Sequence, residues 1–476
     1  MDTIDGVREV FDLQKRGCAR SKAVPYRTRL DRLERVERLF RENHAAMIRA
    51  LQADFGTRDP DAAMLGDIYS PIDNAARSRK ALKSWMRPER RPDGFMRLLG
   101  QRSYVLHEPL GVVGVIAPFN APVTLAFDPA IGAIAAGNTV MMRFPEAMPA
   151  TGALAARLVA DAFDPAELAV VTGDIETARF FSSLPWDLLV FTGGAATARR
   201  VMAAAAGNLT PVVLELGGKS PVVVLADADL RLVARKTVKT RLMNGGQVCI
   251  AGDYALVPDD RLEEFLALLQ EETRAIYPAM LDNPRYTSVV GDAAYGRLAG
   301  YVAEARERGT RIIEVIPEGE ALPDPVSRKF PLTIAVNPDP DLGLSREEIF
   351  GPILPVIGYR TLDDAIGTIN AGEKPLALYV HGRDRAGIGR VLSETSSGGV
   401  TVNDFLLHAG SHSLGFGGVG ESGMGRYKGG KVGFRTFSNP KGVFEPGLAA
   451  RFSHHFLPPL AGNRVRNLLR SRIGLK

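Results

Sequence analysis

A cysteine in a glycine-rich stretch is the first candidate for chemistry in this chain. The stretch "NGGQVCIAGDY" spans residues 244–254 and contains Cys249, and Cys18 is the only other cysteine. A lone cysteine is most often a small buried hydrophobe. A catalytic thiol, in contrast, must be accessible, ionisable and close to donors that stabilise an oxyanion. The glycines before Cys249 would let a flat cofactor or an extended substrate approach the sulfur, so both interpretations stay open here.

Three further polar side chains follow apolar segments and could assist a thiol. Glu215, in "VVLELGGKSP", lies at the end of an apolar strand, where burying a carboxylate costs free energy unless it has a partner or a task. Desolvation would raise its pKa and suit it to general-base work. Asn120, in "APFNAP", offers an amide that can donate to an oxyanion without titrating. Glu348, in "EEIFGP", adds an acid near an aromatic residue.

The pattern of apolar residues predicts the elements that must position these side chains. Residues 26–55 have helical periodicity with a charged outer face. Between residues 111 and 216, five short apolar strand candidates alternate with four helices, which is typical of a parallel, doubly wound sheet covered on both faces. Such a sheet binds its ligand beyond the carboxyl ends of its strands. A second α/β alternation begins near residue 221 and continues more loosely over residues 336–402.

Glycine spacing gives two possible signals for a nucleotide-binding site, and one is better placed than the other. The G-x-G-x-x-G pattern occurs twice with overlap, starting at Gly415 and at Gly418. Neither copy lies between a strand and a helix, so we expect a loop of close turns there. The segment "FTGGAATARRV" at 191–201 does follow a predicted strand and open a predicted helix. Its backbone N–H groups could face a pyrophosphate, although a plain strand–turn–helix has the same pattern.

Composition and charge limit the classes of protein to which this chain could belong. A chain of 476 residues is too long for one hydrophobic core, which predicts two or three domains. The polar start and the lack of a long apolar run predict neither a signal peptide nor a transmembrane helix, and two cysteines cannot form a disulfide framework or a cysteine zinc site. We therefore expect a cytoplasmic protein. The formal charge is +5, but residues 451–476 contain six basic residues and no acid, so the body does not predict nucleic-acid binding.

Taken in order, the quoted motifs resemble those of a known enzyme family. "PFNAP", "FTGG", "ELGGKSP", "NGGQVC", "EEIFGP" and "GFGGVGESGMG" resemble the motif series of the aldehyde dehydrogenase superfamily over roughly residues 30–445. The short N-terminus, "NDFLLHAG" and "GMGRYKGGKVGFRTFSNPKGVF" are similar to its class 3 and coniferyl-aldehyde-dehydrogenase-like branch. The resemblance implies an α/β fold with a Rossmann-type cofactor domain, an α/β catalytic domain and a small oligomerisation element.

The resemblance also implies domain boundaries. The NAD-binding domain would comprise residues 1–90 and 110–217, and the catalytic thiol domain residues 218–430. The oligomerisation strands would lie in residues 91–109 and 431–450, ahead of a basic tail at 451–476. In a homodimer, the strand near "GFRTFS" would extend a sheet toward the partner.

The same resemblance assigns roles to individual residues. Cys249 would attack the aldehyde, Asn120 and the Cys249 backbone N–H would stabilise the oxyanion, and Glu215 would activate water against the thioester. The oxidant would be NAD, with NADP possible. The residues implied to hold the cofactor are Pro118, Arg143, Glu146, Gly193, Gly194, Glu348 and Phe350. No metal is implied, since the histidines, including the adjacent pair His454 and His455, lack ligand geometry.

Four positions depart from the family's usual residues. Arg143 stands where lysine is usual, Gly194 replaces serine, and Ala198 replaces glycine. These three bear on cofactor choice, because a planar guanidinium is not equivalent to an ammonium. Gly415 replaces a usual proline. None of the four touches the thiol, the amide or the base.

Other functions remain as alternatives at this point. A CoA-acylating dehydrogenase would release the acyl group to a thiol, but related acylating enzymes generally lack the glutamate at the position of Glu215. A non-catalytic superfamily member would have no need of Cys249, Glu215 and Asn120 together. The tail has helical spacing of Val465, Leu468, Leu469 and Ile473 among basic residues, which could lie on an anionic membrane surface. We favour a solvated or subunit-packed tail, because its apolar face is short.

Overall fold

The structure is a computed structural model that describes residues 2–20, 23–91, 100–451 and 463–475. The histidine pair His454 and His455 and part of the 91–109 segment lie outside the described residues. Both cysteines are free thiols. Within the described ranges, no helix is both long enough and apolar enough to cross a bilayer.

The strands form three sheets. Those described are β1 (Glu89–Arg90), β2 (Arg102–Pro109), β3 (Val112–Ile116), β4 (Thr139–Arg143), β5 (Leu168–Val171), β6 (Leu188–Thr192), β7 (Val212–Glu215), β8 (Pro221–Val224), β9 (Tyr254–Pro258), β10 (Arg311–Val315), β11 (Leu332–Val336), β12 (Ile353–Tyr359), β13 (Ala377–His381), β14 (Gly399–Val402), β15 (Gly423–Met424) and β16 (Ser438–Glu445).

Helices cover and connect the sheets. Those described are α1 (Ile4–Arg20), α2 (Tyr26–Phe55), α3 (Pro60–Ala63), α4 (Ser70–Trp85), α5 (Pro122–Ala136), α6 (Pro149–Ala162), α7 (Ile175–Ser183), α8 (Ala195–Ala206), α9 (Leu230–Leu242), α10 (Leu262–Ile276), α11 (Asp292–Glu307), α12 (Gly343–Arg346), α13 (Leu362–Ala371), α14 (Arg385–Glu394), α15 (Leu407–Gly410), α16 (Lys431–Thr436) and α17 (Asn463–Arg472). A π-helix, Met64–Tyr69, lies between α3 and α4.

The first sheet is the predicted doubly wound sheet. Its order is β15-β7-β6-β3-β4-β5, and the five strands from β3 to β7 are parallel. Alternate residues of β3 enter two separate cores: Val113 packs with α2, α5 and α6, whereas Val112 packs with α1, α7 and α8. The two-residue strand β15, which pairs antiparallel to β7, was not predicted because two residues have no period.

The second sheet continues the α/β alternation. Its order is β10-β11-β12-β9-β8-β13-β14, with β10 alone antiparallel to its neighbour. The predicted strands at 221 and 254 and the predicted helix after residue 261 are present. The strands β10 and β11 join it from a region for which the sequence pattern predicted no strand. The overlapping G-x-G-x-x-G stretch forms a loop, as predicted, broken only by a 3-10 turn and β15.

A third, antiparallel sheet stands apart from both. It consists of β1, β2 and β16 in that order, and Ser438 of β16 pairs with Pro109 of β2. The predicted "GFRTFS" strand begins only at Ser438, because the preceding residues form α16. The domain boundaries given above stay a prediction; β15 joins the first sheet from within the range predicted for the catalytic domain, and β1 joins the third sheet from within the range predicted for the NAD-binding domain.

Candidate active site

The loop that carries the thiol adopts a backbone that few residues tolerate. After α9 ends at Leu242, Asn244, Gly245 and Gly246 all have positive φ, of 55°, 64° and 76°. This conformation suits glycine and, less often, asparagine. A Cβ on Gly246 would lie 2.3 Å from the carbonyl carbon of Gly351, so this loop packs directly on the one that follows Glu348. Cys249 follows these three residues and is half-buried, packed against the core of the second sheet.

The amide of Asn120 is fixed against the thiol loop. Asn120 follows β3, is buried, and donates from Nδ2 to the carbonyl oxygen of Gln247 at 3.1 Å. In return, Asn244 Nδ2 donates to the backbone oxygen of Asn120 at 2.9 Å. An amide nitrogen has two hydrogens, so Asn120 keeps a second N–H for a ligand. The structure thus brings the Asn120 amide to the loop that carries Cys249.

Glu215 is a buried carboxylate with no hydrogen-bond partner. It ends β7, is 1% exposed, and neither of its side-chain oxygens has a partner in the described part of the chain. Burial raises its pKa to about 8, and the positive charges of Arg426 and Lys428 only partly offset that rise. Such a group takes and releases a proton near neutral pH, as a general base must.

The thiol and two carboxylates interact electrostatically. Burial raises the pKa of Cys249 well above its usual range, and the negative charges of Glu215 and Glu348 raise it further. Hydrogen bonds from the backbone N–H groups of Cys249 and Ile250 act in the opposite direction. Burial and the two carboxylates therefore favour the protonated form of the thiol. The sulfur nevertheless sits among backbone donors and next to a possible base.

Glu348 faces the end of the Glu215 strand across a glycine. A Cβ on Gly217 would lie 2.0 Å from Glu348 Oε2, so only glycine leaves room for this carboxylate. Burial and the charge of Asp253 raise the pKa of Glu348 to about 8, while a hydrogen bond from the Gly218 backbone N–H lowers it. Phe350 follows with a positive φ of 50°, and its ring lies 5.7 Å from that of Phe119, next to half-buried Pro118.

Arg143 and Glu146 form an ion pair at the carboxyl end of β4. Arg143 is buried and donates from Nη2 to Glu146 and, at 3.1 Å, to the backbone oxygen of Asp174. Its Nε has no partner within the described residues. Glu146 is exposed beside it. Positive and negative groups therefore stand together at the edge where a nucleotide is expected.

Gly193 and Gly194 occupy the turn between β6 and α8. The Gly193 N–H donates to the backbone oxygen of Glu215 at 3.1 Å, which ties this turn to the base. Nothing lies within 4 Å of a Cβ placed on Gly194. The first-turn N–H groups of a helix have no partner within the helix, so α8 can receive a phosphate through open space. Ala198, which departs from the family pattern, is buried against the sheet.

The sequence reading missed a network that joins the thiol loop to the Glu348 loop. Asp253 accepts hydrogen bonds from Lys219 Nζ at 2.6 Å, from Arg241 Nη1 at 3.1 Å and from the Ile349 N–H at 3.2 Å. Asp253 and Lys219 lie inside motifs quoted above, and Arg241 is fully buried in a helix with a charged pattern. The sequence signal that could have revealed this network was a charged residue near the end of each motif, Asp253 in one and Lys219 in the other. Across the described residues, no three acidic, histidine or cysteine side chains could hold a metal.

Comparison with known proteins agrees with this geometry. Residues 5–443 match the description "Aldehyde dehydrogenase family". The chain belongs to the aldehyde dehydrogenase family. It is therefore an oxidoreductase that acts on aldehydes, in a family that uses NAD or NADP. The fold class and the family predicted from the motifs are both confirmed.

Several relatives resemble the chain along most of its length. A probable coniferyl aldehyde dehydrogenase of Caulobacter vibrioides is 43% identical over 441 residues, which cover 92% of this chain and 91% of the relative. The coniferyl aldehyde dehydrogenase of a Pseudomonas species is 45% identical over 415 residues, or 87% and 85%. The dimeric, NADP-preferring aldehyde dehydrogenase of Rattus norvegicus is 34% identical over 455 residues, or 95% and 96%.

Solved structures of the family superpose on the fold. Staphylococcus aureus AldH in a substrate-bound state gives a TM-score of 0.87 at 33% identity and covers 94% of both chains. Mycobacterium tuberculosis aldehyde dehydrogenase complexed with NAD+ gives a TM-score of 0.78 at 28% identity, covering 90% of this chain and 86% of that one. The arrangement of three sheets is thus that of the family.

Proposed function

We propose that this enzyme oxidises an aromatic, coniferyl-like aldehyde to the carboxylic acid, with Cys249 as nucleophile, Asn120 as oxyanion donor and Glu215 as base. The observation that carries the proposal is the state of Glu215: a buried carboxylate with a pKa raised to about 8 beside the thiol. Burying such a group without a partner costs free energy, and that cost is explained by a proton-transfer task. The substrate class is supported by the names of two relatives; a medium or long aliphatic aldehyde is the second candidate.

Each step of the proposed reaction assigns a role to one of the residues described above. The Cys249 thiol loses its proton to solvent, and the thiolate sulfur attacks the aldehyde carbon. The free Asn120 N–H and the Cys249 backbone N–H stabilise the oxyanion of the thiohemiacetal. A bound NAD(P) supplies the hydride acceptor for this carbon, and a thioester remains on Cys249. Glu215 then takes a proton from water, whose oxygen attacks the thioester and releases the acid.

The residues at the strand ends fit a dinucleotide. Glu348 and Phe350 would hold the nicotinamide ribose, with Pro118 at the same end; the α8 turn at Gly193 and Gly194 would receive the pyrophosphate. Glu146 would bind the adenosine ribose hydroxyls and disfavour a 2′-phosphate by like charge, while Arg143 offsets part of that repulsion. We therefore propose NAD as the preferred cofactor with some use of NADP. A higher kcat/KM with NADP would reverse this order and point to Arg143 as the phosphate partner.

We further propose a homodimer in the cytoplasm. The name of the rat relative includes "dimeric", and β16 has a neighbour on one side only among the described strands. Two free thiols are consistent with a reducing compartment. Sedimentation of the purified protein tests the dimer, and a monomer at micromolar concentration would contradict it.

The decisive test replaces Glu215 by glutamine. An amide cannot take a proton from water, so Glu215→Gln should give a burst of NADH close to one per active site followed by turnover slowed by roughly 10²-fold or more. Glu421→Gln, which neutralises an exposed carboxylate that pairs with Arg199, is the control and should behave as the parent. Parent-like turnover of Glu215→Gln would remove Glu215 as the base.

A substrate panel tests the other half of the proposal. NADH formation should be most efficient with aromatic aldehydes such as coniferyl aldehyde and weaker with long-chain and short aliphatic ones. Added coenzyme A should not change the rate, because water rather than a thiol releases the acyl group. A preference for aliphatic aldehydes would overturn the aromatic assignment, and acyl-CoA formation would favour the acylating alternative.

A further inference from the structure

Two helices behind the first sheet are capped by aspartates from elsewhere in the chain. Both α5 and α6 begin with proline and have no cap from their own N-cap side chain. The N–H groups of Val123 and Thr124 in α5 donate to Asp67 Oδ1 at 3.1 and 3.2 Å. In α6, the first-turn N–H groups donate to Asp54 at 2.9 and 2.8 Å. A carboxylate at a helix N-terminus satisfies these N–H groups and interacts favourably with the helix dipole.

The cap of α5 differs from that of α6 in being fully buried and ion-paired. Asp67 has no exposed surface, and its Oδ2 accepts a hydrogen bond from Arg58 Nη2 at 2.5 Å. Arg58 is itself buried and stacks over the ring of Phe55 at 4.3 Å. The π-helix Met64–Tyr69 carries Asp67, and such irregular turns are frequent at functional sites. A buried ion pair is seldom a net source of stability, so its presence calls for another explanation.

The capped turn lies next to the proposed oxyanion donor. Asn120 is three residues before Val123, so the position of the first turn of α5 sets where its amide points. The chain around Arg58 also contacts the other wall of the site. The Ser288 N–H donates to the backbone oxygen of Thr57 at 2.9 Å, and Gln247 Nε2 donates to the backbone oxygen of Ser288 at 3.1 Å. Gln247 is the residue whose carbonyl receives the Asn120 amide.

We propose that Asp67, held by Arg58, is a positioning residue that aligns the Asn120 amide with the thiol. One segment, residues 57–67, is hydrogen-bonded to the first turn of α5, which follows Asn120, and is linked through Ser288 to Gln247 of the thiol loop, so it sets the separation of the two. The proposal rests on the proposed role of Asn120 and adds residues that touch neither substrate nor cofactor. A small misplacement of a catalytic group lowers the rate strongly. Correct placement of Asn120 would therefore explain why the buried Arg58–Asp67 ion pair is present.

The test is a double-mutant cycle on the rate of the NADH burst. Removing one partner would leave a buried charge, so the pair is replaced together: Arg58→Leu with Asp67→Leu, which exchanges two charges for apolar groups. In the parent background this pair variant should slow the burst by about 10-fold. In an Asn120→Ala background it should slow the burst by less than about 2-fold, because a donor that is gone cannot be misplaced.

A second variant and a matched control separate positioning from stability. Asp67→Asn keeps one acceptor oxygen for the N–H groups but leaves the buried Arg58 without a counter-charge, so its burst should be slower than that of the parent, and its melting temperature reports the cost of the unpaired charge. Asp54→Asn is the matched control, because it weakens the equivalent cap of α6, a helix that does not follow Asn120. The burst rate of this variant should stay within about 2-fold of the parent. Its effect should add to that of Asn120→Ala. Melting temperatures show whether each variant is folded.

Each outcome decides one question. If Asn120→Ala alone leaves the burst unchanged, the role of Asn120 in the proposed function fails, and the positioning proposal fails with it. If Asn120→Ala slows the burst but the folded pair variant and Asp67→Asn keep the parent rate, the proposed function stands and the positioning role is overturned. Equal fold losses from the pair variant in both backgrounds would also overturn it, since the cap would then act independently of Asn120. If the pair variant does not fold, the same comparison is made with Asp67→Asn.

Discussion

At the scale of single residues, the site combines three acidic groups whose pKa values are all raised. Burial raises the pKa of Glu215, Glu348 and Cys249, and the negative charges of the two carboxylates raise the pKa of Cys249 further. The resting site therefore holds protons that a solvent-exposed site would have lost. Since hydrolysis needs an ionised Glu215, turnover limited by thioester release should rise with pH through about 8.

The two cysteines should differ completely in their effect on activity. Cys249→Ala removes the nucleophile, so NADH formation should fall by at least about 10³-fold, while quenching of NADH fluorescence should show nearly unchanged cofactor binding. Cys18→Ala is the matched control and should be silent, because Cys18 lies 3.5 Å from the Thr139 hydroxyl at the amino end of the strands. Inactivation by an alkylating agent that labels Cys18 and spares Cys249 would reverse the assignment.

At the scale of elements, the thiol loop works because it can approach the Glu348 loop closely. Gly246 has a positive φ, and its Cα faces the carbonyl of Gly351 with no space for a methyl group. Hydrogen bonds of Asp253 with Lys219 and Arg241 hold the same two loops together. Position rather than side-chain chemistry is what these residues contribute.

Gly246→Ala adds only one methyl group, but it should therefore cause a large loss of activity. The strained φ and the overlap with Gly351 should together cost roughly 1–3 kcal/mol of stability or displace Cys249, and kcat should fall by about 10-fold or more. Gly300→Ala, in the exposed part of α11 with nothing within 4 Å, is the control. It should match the parent in activity and gain up to about 1 kcal/mol. A fully active Gly246→Ala enzyme with parent stability would contradict the close packing.

At the scale of the whole molecule, the buried carboxylates make stability depend on pH. Burial raises the pKa of Glu215 from 4.5 to about 8, so the folded state binds a proton that the unfolded state has lost between these values. The stability of the parent relative to Glu215→Gln is therefore greatest at low pH and falls as pH rises toward 8. A pKa rise of this size corresponds to an upper bound of roughly 5 kcal/mol.

Melting temperatures of the two proteins at pH 5, 7 and 9 measure this effect. Glu215→Gln should melt close to the parent at pH 5 and clearly above it at pH 9, with the gap growing in between. Taking the difference between the two proteins cancels the groups they share. A gap that stays constant over this range would mean that Glu215 titrates normally in the folded enzyme.

The basic tail should be dispensable for catalysis. The described side chains of α17 and of the residues just after it are exposed, including Leu468, Leu469 and Ile473. Its short apolar face and flanking arginines would give only weak, salt-sensitive attachment to a membrane. Deletion of residues 460–476 should leave kcat and kcat/KM within about 2-fold of the parent, because none of the proposed site residues lies there. Co-sedimentation of the full chain with anionic liposomes at physiological salt, lost on deletion, would show that the membrane interpretation is correct.

The sequence by itself determined the family, the first sheet and the candidate chemical groups. Continuous apolar strands between helices can be buried only as a parallel sheet covered on both faces, so the alternation from residue 111 was sufficient for that part of the fold. The motifs with Cys249, Glu215 and Asn120 predicted the groups because their residue types limit what each can do. The strand β15 was beyond reach, since pairing over two residues depends on contacts distant in sequence.

Only the tertiary structure decided how those groups behave. The raised pKa of Glu215 follows from burial, which the distant charge of Arg426 only partly offsets, and that of Cys249 follows from burial and from the charges of Glu215 and Glu348. The capping of α5 by Asp67 likewise joins residues 56 positions apart along the chain. Proton affinity and alignment depend on distances in space and on the removal of water, and a local sequence pattern records neither of them.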